Sequence, residues 1–214
     1  MDEDVPVITI DGPAAAGKGT VARLVAGQLG FRLLDSGFLY RRAALATIAG
    51  GADSGNADDV VAAIAAIDWD AGCDEQRLRS EAVGAAASQL AALAPVRREL
   101  VAVQRRFRTA PGLVADGRDM GTVIFPDAFL KIFMVADLAE RARRRLRQYP
   151  GLGMDECLAA LRERDEADRG RPVAPLRPAE DAVQLDSTGL DAQSVAERIV
   201  DLCRQADPGR FKVE

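Results

Sequence analysis

An apolar run, a glycine-rich turn and the start of a helical pattern follow one another at residues 7–20, which read VITIDGPAAAGKGT. The segment Gly12–Lys18 fits the phosphate-binding loop pattern G-x-x-x-x-G-K. Glycines let the chain turn tightly with successive N–H groups facing inward, and together with the helix N-terminus these groups attract phosphate oxygens. Because the motif lies between a strand pattern and a helix pattern, it predicts a phosphate site in an α/β fold.

Nine consecutive residues of this loop are predicted to bind ATP: Gly12, Pro13, Ala14, Ala15, Ala16, Gly17, Lys18, Gly19 and Thr20. Lys18 would reach the β and γ phosphates. The usual pattern places the Ser or Thr that binds magnesium directly after the lysine, whereas here Gly19 holds that position and the hydroxyl follows at Thr20. The form G-K-G-T is typical of kinases of nucleoside monophosphates. We therefore expect Mg²⁺ to arrive with ATP, and we expect no metal held by protein ligands.

Composition limits the chemistry that is available to this chain. The 214 residues include no histidine, which removes Ser-His and Cys-His nucleophiles and the commonest general base. Cys73, Cys157 and Cys203 lie far apart without C-x-x-C spacing, which argues against zinc and against a disulfide framework. Arginine, lysine, aspartate and a metal remain, and these suit phosphoryl transfer, whose catalysis is mostly positioning and charge neutralisation.

The overall charge bears on the partners of the chain. The net charge of -5 gives no general attraction to nucleic acid or to anionic membranes. The N-terminus is acidic, and no apolar run approaches the roughly 18 residues of a membrane span. We expect a cytoplasmic protein, a monomer, whose partners are small-molecule substrates rather than nucleic acid or membrane.

Short apolar runs alternate with helical patterns along the chain. Strands are predicted at residues 5–10, 32–34, 112–115, 130–135 and 182–185. Most of these runs end in Asp or Gly, and their alternation with helices is typical of a parallel sheet covered by helices. We therefore predict an α/β fold with a P-loop NTPase-type five-stranded parallel sheet wrapped by helices, and a site at the carboxyl ends of its strands.

The connection from the second to the third strand is too long for one crossover. It carries several helical patterns, so we interpret residues 38–108 as a mostly helical subdomain inserted into a single domain of residues 1–214. The core would then comprise residues 1–37, 109–137 and 172–214. The remaining segment, residues 138–171, is predicted to form a short lid.

The lid prediction depends on the most charged stretch of the chain. Five arginines follow the fourth predicted strand on one helical pattern: Arg141, Arg143, Arg144, Arg145 and Arg147. Arg141, Arg144 and Arg145 share a face, and Asp137 with Glu140 has the spacing of a capping box. Such a run is usually a solvated surface, but beside a nucleotide site it favours a mobile basic lid over the transferred phosphates.

Three further segments carry a family resemblance: LLDSGFLYR at 33–41, GLVADGRDMGTVIFPDA at 112–128 and RERDEADRGRPVAPL at 162–176. Together with the G-K-G-T loop they resemble the bacterial cytidylate kinases, within the nucleoside monophosphate kinases, over nearly the whole chain. The resemblance implies transfer of the γ-phosphate of ATP to CMP or dCMP with Mg²⁺, and implies that the inserted subdomain binds the monophosphate. The segment 69–79 is shorter than the β-rich hairpin region common in the family, which leaves discrimination between CMP and UMP open.

The resemblance also implies roles for single side chains. The catalytic residues would be Lys18, Arg118, Arg141 and Arg145, the last two on the ATP side. The CMP-binding residues would be Ser36, Tyr40, Arg41, Ser88, Arg97, Arg118, Asp119, Arg164, Asp168 and Arg171. In this set, Arg41, Arg118 and Arg164 would hold the phosphate, because planar guanidinium forks match phosphate oxygens.

Base and sugar would be recognised by the other members of the set. Ser88, Arg97 and Asp119 would read cytosine, with Ser36 and the aromatic face of Tyr40 nearby. Asp168 and Arg171 would contact the sugar hydroxyls.

Simpler structural roles are open for several of these residues. Arg97 could be a surface arginine, Ser88 a helix-packing serine and Asp119 a turn residue. Asp168 could merely pair with Arg164 at i+4, a surface contact worth about 0.3 to 0.5 kcal/mol.

Two other functions compete with cytidylate kinase activity. One is a kinase for another monophosphate, such as UMP, or for a small hydroxyl-bearing metabolite. The other is a nucleotide-dependent switch that hydrolyses NTP; it needs a residue to position the attacking water, and the sequence offers no obvious candidate for that role.

Overall fold

The computed structural model describes residues 5–52, 56–69, 71–78, 80–149 and 151–211. Within these residues the strands are β1 (Val7–Asp11), β2 (Arg32–Asp35), β3 (Leu113–Gly117), β4 (Leu130–Val135) and β5 (Val183–Asp186). They form one sheet in the order β2-β3-β1-β4-β5. The predicted class, a five-stranded parallel sheet with covering helices and an inserted helical part, is confirmed.

The central strand is β1, which pairs in parallel with β3 on one side and β4 on the other. All five of its residues are buried, as expected for a strand covered on both faces of a sheet. Its last residue, Asp11, lies opposite Gly117 of β3 and Phe133 of β4. The carboxyl ends of these strands therefore meet at one edge, directly before the phosphate loop.

The helices in the described residues are α1 (Lys18–Leu29), α2 (Ser36–Ala49), α3 (Ala57–Ala65), α4 (Glu75–Leu78), α5 (Glu81–Leu90), α6 (Ala94–Arg105), α7 (Leu138–Gln148), α8 (Met154–Arg169) and α9 (Ala192–Ala206). A π-helical turn, Met120–Ile124, follows β3. Among the described residues, no helix is both long enough and apolar enough to span a membrane.

The chain divides into two compact units. The sheet unit comprises Met1–Leu34 and Phe107–Glu214, and the helical unit comprises Asp35–Arg106. In the sheet unit, α1 packs against α9, and side chains such as Ile10, Val25 and Ile199 are buried together. This core supports the strand-to-helix connection that carries the phosphate loop.

The helical unit has a core of its own. Helix α2 packs against α3 and α5, and α3 packs against α6. Val60, Leu90 and Leu100 are almost completely buried in this unit. Residues 70 and 79 lie outside the described residues, and in the described part of the segment 69–79 the regular element is α4.

The predicted capping box at the start of α7 is wrong. Asp137 is the N-cap residue, but its side chain makes no capping hydrogen bond. Glu140 pairs with Arg143 and Arg144 instead, and the Asp137 N–H that a capping glutamate would accept donates to Thr188 Oγ1 at 2.9 Å. A full guanidinium charge competes better for the Glu140 carboxylate than a backbone N–H does.

Candidate active site

The phosphate loop connects β1 to α1 through three residues with positive φ: Gly12 (149°), Ala15 (59°) and Gly17 (93°). At Gly12 a Cβ atom would lie 2.1 Å from the carbonyl oxygen of Met134, so the close approach to β4 requires glycine. Gly17 is the N-cap of α1, and the helix begins at Lys18. The predicted loop residues therefore surround a helix N-terminus, where backbone N–H groups favour an anion.

Lys18 is buried beside this loop. Its Nζ donates to the carbonyl oxygen of Pro13 at 2.9 Å and lies 3.9 Å from Oδ1 of Asp116. Burial and the positive charge of Arg118 lower the pKa of the Lys18 ammonium to about 8, although Asp116 opposes the shift. The lysine is thus a cation with little solvation of its own, which a phosphate group can neutralise.

Asp116 crowds the position that follows the lysine. A Cβ atom at Gly19 would lie 3.1 Å from Oδ2 of Asp116, which is tighter than ordinary van der Waals contact. The hydroxyl that usually comes at this position follows instead at the exposed Thr20. Asp116 was absent from the predicted site residues, and its place at the end of β3 was the signal that could have found it.

A second buried carboxylate, Asp11, ties the loop strand to the turn after β3. Its two oxygens accept the N–H groups of Met120 and Gly121 at 2.9 and 2.8 Å. Burial raises the pKa of the Asp11 carboxyl to about 7, and the two N–H donors oppose that shift. Asp119, which is buried, is the N-cap of this π-helical turn, so the turn fixes its position relative to β1.

Asp168 is shared by two arginines. Its Oδ2 accepts from Nε of Arg118 at 3.0 Å, and its Oδ1 accepts from Nη2 of Arg171. Burial acts to raise the pKa of the Asp168 carboxyl, but the charges of Arg118, Arg171 and Arg164 hold it below its ordinary value. Asp168 is buried, so the alternative of an exposed i+4 pair with Arg164 does not describe it.

Arg141 and Arg145 differ in their surroundings. Arg141 is buried, and its guanidinium donates to both carboxylate oxygens of Asp165 at 3.0 and 2.7 Å. It also donates to the carbonyl oxygen of Ala14 at 3.2 Å. The guanidinium of Arg145 lies 5.8 Å from the ring centre of Tyr149. Arg141 is therefore held against the loop and α8.

A cleft of about 480 Å³ opens beside the loop. Gly17 and Thr20 line it from α1 and its N-cap, Arg144 from α7, and Ser187 and Leu190 from the segment after β5. Leu190 presents an exposed apolar side chain there, and the lining combines apolar and polar groups as nucleotide pockets do. This segment follows the carboxyl end of β5, at the edge of the sheet where the sequence predicts the site, although none of its residues was assigned a role.

In the helical unit, Arg41 and Arg97 make contacts within the unit. Nη1 of Arg41 donates to the carbonyl oxygen of Leu78 at 2.8 Å. Arg97 is buried, with Nη1 donating to the carbonyl oxygen of Ala91 at 3.2 Å, so it is not a surface arginine. Of the other predicted residues here, Ser36 and Tyr40 are buried at the start of α2, and Ser88 is half-buried on α5.

The predicted site residues are thus distributed over both units. The sheet unit brings together Lys18, Arg118, Arg164, Asp168 and Arg171 through the ion pairs and charges described above. The helical unit holds Ser36, Tyr40, Arg41, Ser88 and Arg97. In the parts of the chain that the structure describes, no three His, Cys, Asp or Glu side chains are grouped so that they could hold a metal ion.

Sequence comparisons with known proteins agree on one family. The model of the cytidylate kinase family matches residues 8–205. A cytidylate kinase from Stutzerimonas stutzeri is 51% identical over 219 residues, covering 94% of this chain and 96% of that protein. A cytidylate kinase from Vibrio vulnificus is 47% identical over 215 residues, covering 92% of this chain and 95% of that protein. The solved structure of a gluconokinase from Sinorhizobium meliloti shares the fold, with a TM-score of 0.52 at 14% identity and 98% coverage of both chains. The chain belongs to the cytidylate kinase family.

Proposed function

We propose that this protein transfers the γ-phosphate of ATP to CMP or dCMP, giving ADP and CDP or dCDP. The observation that carries the proposal is the buried Lys18 ammonium at the head of the phosphate-loop helix, in the same unit as Arg118. The choice of CMP as acceptor is supported by the two cytidylate kinases named above, because this chain matches each of them over nearly its whole length.

The reaction requires little covalent participation by the protein. A phosphate oxygen of CMP attacks the γ-phosphorus, a new P–O bond forms, the bond to the β–γ bridging oxygen breaks, and ADP leaves with the electron pair. A phosphate monoester is largely dianionic near pH 7, since its second pKa is about 6, so its oxygen attacks without a general base. This accords with a chain that has no histidine. Positioning and charge neutralisation are then the main tasks of the side chains.

On the donor side, residues 12–20 bind the phosphates of ATP, and the cleft beside the loop takes the rest of the nucleotide. Lys18 contacts the β and γ phosphates, and Arg145 neutralises charge that develops on the transferred group. When bound with ATP, Mg²⁺ would supply charge neutralisation at the phosphates. The Asp116 carboxylate, 3.9 Å from the Lys18 ammonium, and the hydroxyl of Thr20 fit such an ion chemically, because Mg²⁺ prefers hard oxygen ligands. Asp116 and Thr20 are the residues that would face it.

For the acceptor, the proposal assigns roles to residues of each unit taken by itself. In the sheet unit, Arg118 and Arg164 bind the monophosphate and Asp119 accepts from the cytosine amine. Asp168 and Arg171 contact the sugar. In the helical unit, the proposal assigns Arg41 to the phosphate and the residues Ser36, Tyr40, Ser88 and Arg97 to the base.

The test is ADP production from ATP and Mg²⁺ with CMP, dCMP, UMP, AMP, dTMP or no acceptor in parallel reactions. We expect the highest turnover with CMP and dCMP and almost none without an acceptor. Turnover as high with UMP would broaden the substrate to pyrimidine monophosphates, and steady hydrolysis without an acceptor would replace the kinase proposal by the switch. Arg118→Ala should lose turnover while ATP binding stays nearly intact, and Arg143→Ala, at an exposed position on α7, is the matched control.

The proposal includes a monomeric protein that acts in the cytoplasm and does not bind nucleic acid. The net charge of -5 supports the last point. Light scattering on the purified protein with and without substrates measures the oligomeric state.

A further inference from the structure

Two carbonyl oxygens of the phosphate loop are held by arginines of α7. Nη1 of Arg141 donates to the carbonyl oxygen of Ala14 at 3.2 Å, and Nη1 of Arg144 donates to that of Ala16 at 2.8 Å. The partners are 127 and 128 residues apart in the chain. Arginines of helix α7 therefore hold the loop at two carbonyls that lie two residues apart.

The residue between these two points, Ala15, has the left-handed conformation, with φ 59°. L-residues other than glycine rarely adopt it, because Cβ approaches the carbonyl oxygen that follows. In a trans peptide the C=O and the N–H of the same unit point in opposite directions. By fixing the carbonyls of Ala14 and Ala16, the arginines therefore direct the N–H groups of Ala15 and Gly17 to the other side of the loop.

Both arginines are held from behind. The guanidinium of Arg141 is paired with the buried Asp165, and its Nε donates to the carbonyl oxygen of Ala136 at 3.1 Å. Nε of Arg144 donates to Glu140 at 3.1 Å, and Nη2 donates to the carbonyl oxygen of Ser187 at 2.6 Å. Donors that are fixed in this way need no reorganisation when a ligand binds, which favours affinity.

We propose that Arg141 and Arg144 are positioning residues that hold the phosphate loop in its ligand-binding conformation through the carbonyls of Ala14 and Ala16. The inference rests on the proposed role of the loop in binding ATP phosphates. It gives Arg141 a role behind the loop instead of a direct contact with the transferred group. It also makes the first two turns of α7 part of the support of the phosphate site.

The primary test measures the binding of inorganic tripolyphosphate to the full chain by titration calorimetry. Arg144→Ala removes the contact with the loop carbonyl of Ala16, together with the contacts with Ser187 and Glu140 that hold the guanidinium. Thermal unfolding verifies that the variant folds. Arg143→Ala is the matched control, since this neighbour on α7 is exposed and pairs with Glu140. We expect about tenfold weaker binding for Arg144→Ala, because a hydrogen bond from a charged group is lost, and a change within about twofold for Arg143→Ala. Equal binding by the two variants would overturn the proposal.

Two further variants separate positioning from direct attraction between Arg144 and the phosphates. Arg144→Lys keeps the charge but lacks the fork that joins Ala16 to Ser187, so we expect it to bind about as weakly as Arg144→Ala. The double variant with Ala15→Gly and Arg144→Ala should bind tripolyphosphate about threefold more tightly than Arg144→Ala alone. Glycine adopts positive φ readily, so position 15 depends less on arginines that hold the neighbouring carbonyls. Wild-type affinity in Arg144→Lys, or no recovery with Ala15→Gly, would show that charge rather than loop conformation decides the binding.

The choice of ligand keeps this inference separate from the proposed function. Tripolyphosphate binding involves no acceptor, so the result does not depend on which monophosphate is phosphorylated. A chain that binds tripolyphosphate as expected but does not phosphorylate CMP would contradict the proposed function and leave the positioning role of the arginines intact.

Discussion

Nε of Arg118 donates to Oδ2 of Asp168 at 3.0 Å, across 50 residues of chain, and Asp168 is almost completely buried. Arg171 occupies the other oxygen of the same carboxylate. Asp168 thus orients two guanidinium groups before any phosphate or sugar is bound. An enzyme gains from such an arrangement because the donors do not have to be ordered at the moment of reaction.

Asp168→Asn should impair the acceptor side selectively. The amide keeps the shape of the carboxyl group but loses its charge and presents an NH₂ group to one of the two arginines. Loss of a charge-assisted hydrogen bond is worth about 1.5 to 3 kcal/mol, so kcat/KM for CMP should fall about 10- to 100-fold. KM for ATP should stay within about twofold of the wild-type value. Glu163→Gln, an exposed change on the same helix, is the control. A parallel rise in the KM for ATP would show that Asp168 serves the fold or the donor site.

The same carboxylate should make stability depend on pH on the acid side. The pKa of Asp168 is below its ordinary value in the folded state because of its arginine neighbours, despite the opposing effect of burial. Its contribution to the free energy of unfolding is therefore present above the unfolded pKa of about 3.9 and is lost as pH falls through the folded pKa. Urea unfolding at about pH 7 and at about pH 3.5 measures this, and the destabilisation caused by Asp168→Asn should shrink at the lower pH. A difference that stays constant with pH would contradict the ion-pair explanation.

Phosphate binding should weaken on the alkaline side because of Lys18. With a pKa of about 8 in the free protein, the ammonium loses its proton as pH rises above that value. Since phosphate oxygens bind the charged form, the affinity for ADP should fall between about pH 8 and pH 9.5, approaching about tenfold per unit. Titration calorimetry measures the Kd, with Lys18→Arg as the control, because arginine keeps its charge over this range. A wild-type affinity that does not change with pH would mean that Lys18 does not contact the phosphates.

Gly84→Ala should separate stability from acceptor binding. A Cβ atom at Gly84 would lie 3.1 Å from both Nη1 and Nη2 of Arg41, so the guanidinium must shift. Alanine in the middle of α5 also gains about 0.8 to 1 kcal/mol of helix propensity, which offsets the crowding. We therefore expect a nearly unchanged Tm. The KM for CMP should rise about three- to tenfold, because the Arg41 guanidinium, proposed to bind the CMP phosphate, is displaced.

The control for Gly84→Ala is Gly27→Ala on the exposed side of α1, where a Cβ atom would meet nothing within 4 Å. It should raise the Tm and leave both KM values unchanged. If Gly84→Ala behaves in the same way, Arg41 does not bind CMP.

The strands were predictable because each is a short apolar run, and burial on both faces of a parallel sheet requires such runs. Lys18 and its loop were predictable because all their determinants are contiguous. The contact of Arg144 with Ala16 was not, since it joins residues 128 positions apart whose pairing depends on the packing of α7 against the sheet. Glu140 illustrates the opposite failure. Its spacing from Asp137 fits the local rule for a capping box, in which Glu140 accepts the Asp137 N–H. That N–H donates instead to Thr188, which only the tertiary fold brings close.

The close approach at Gly12 sets the position of the whole phosphate loop relative to the sheet. With the carbonyl of Met134 only 2.1 Å from where a Cβ would stand, the loop starts from a point fixed by the spacing of two neighbouring strands. Any side chain at position 12 would push β1 away from β4, and every N–H group of the loop would move together. The entry to the loop is therefore set by the sheet itself and not by the residues of the loop that follow.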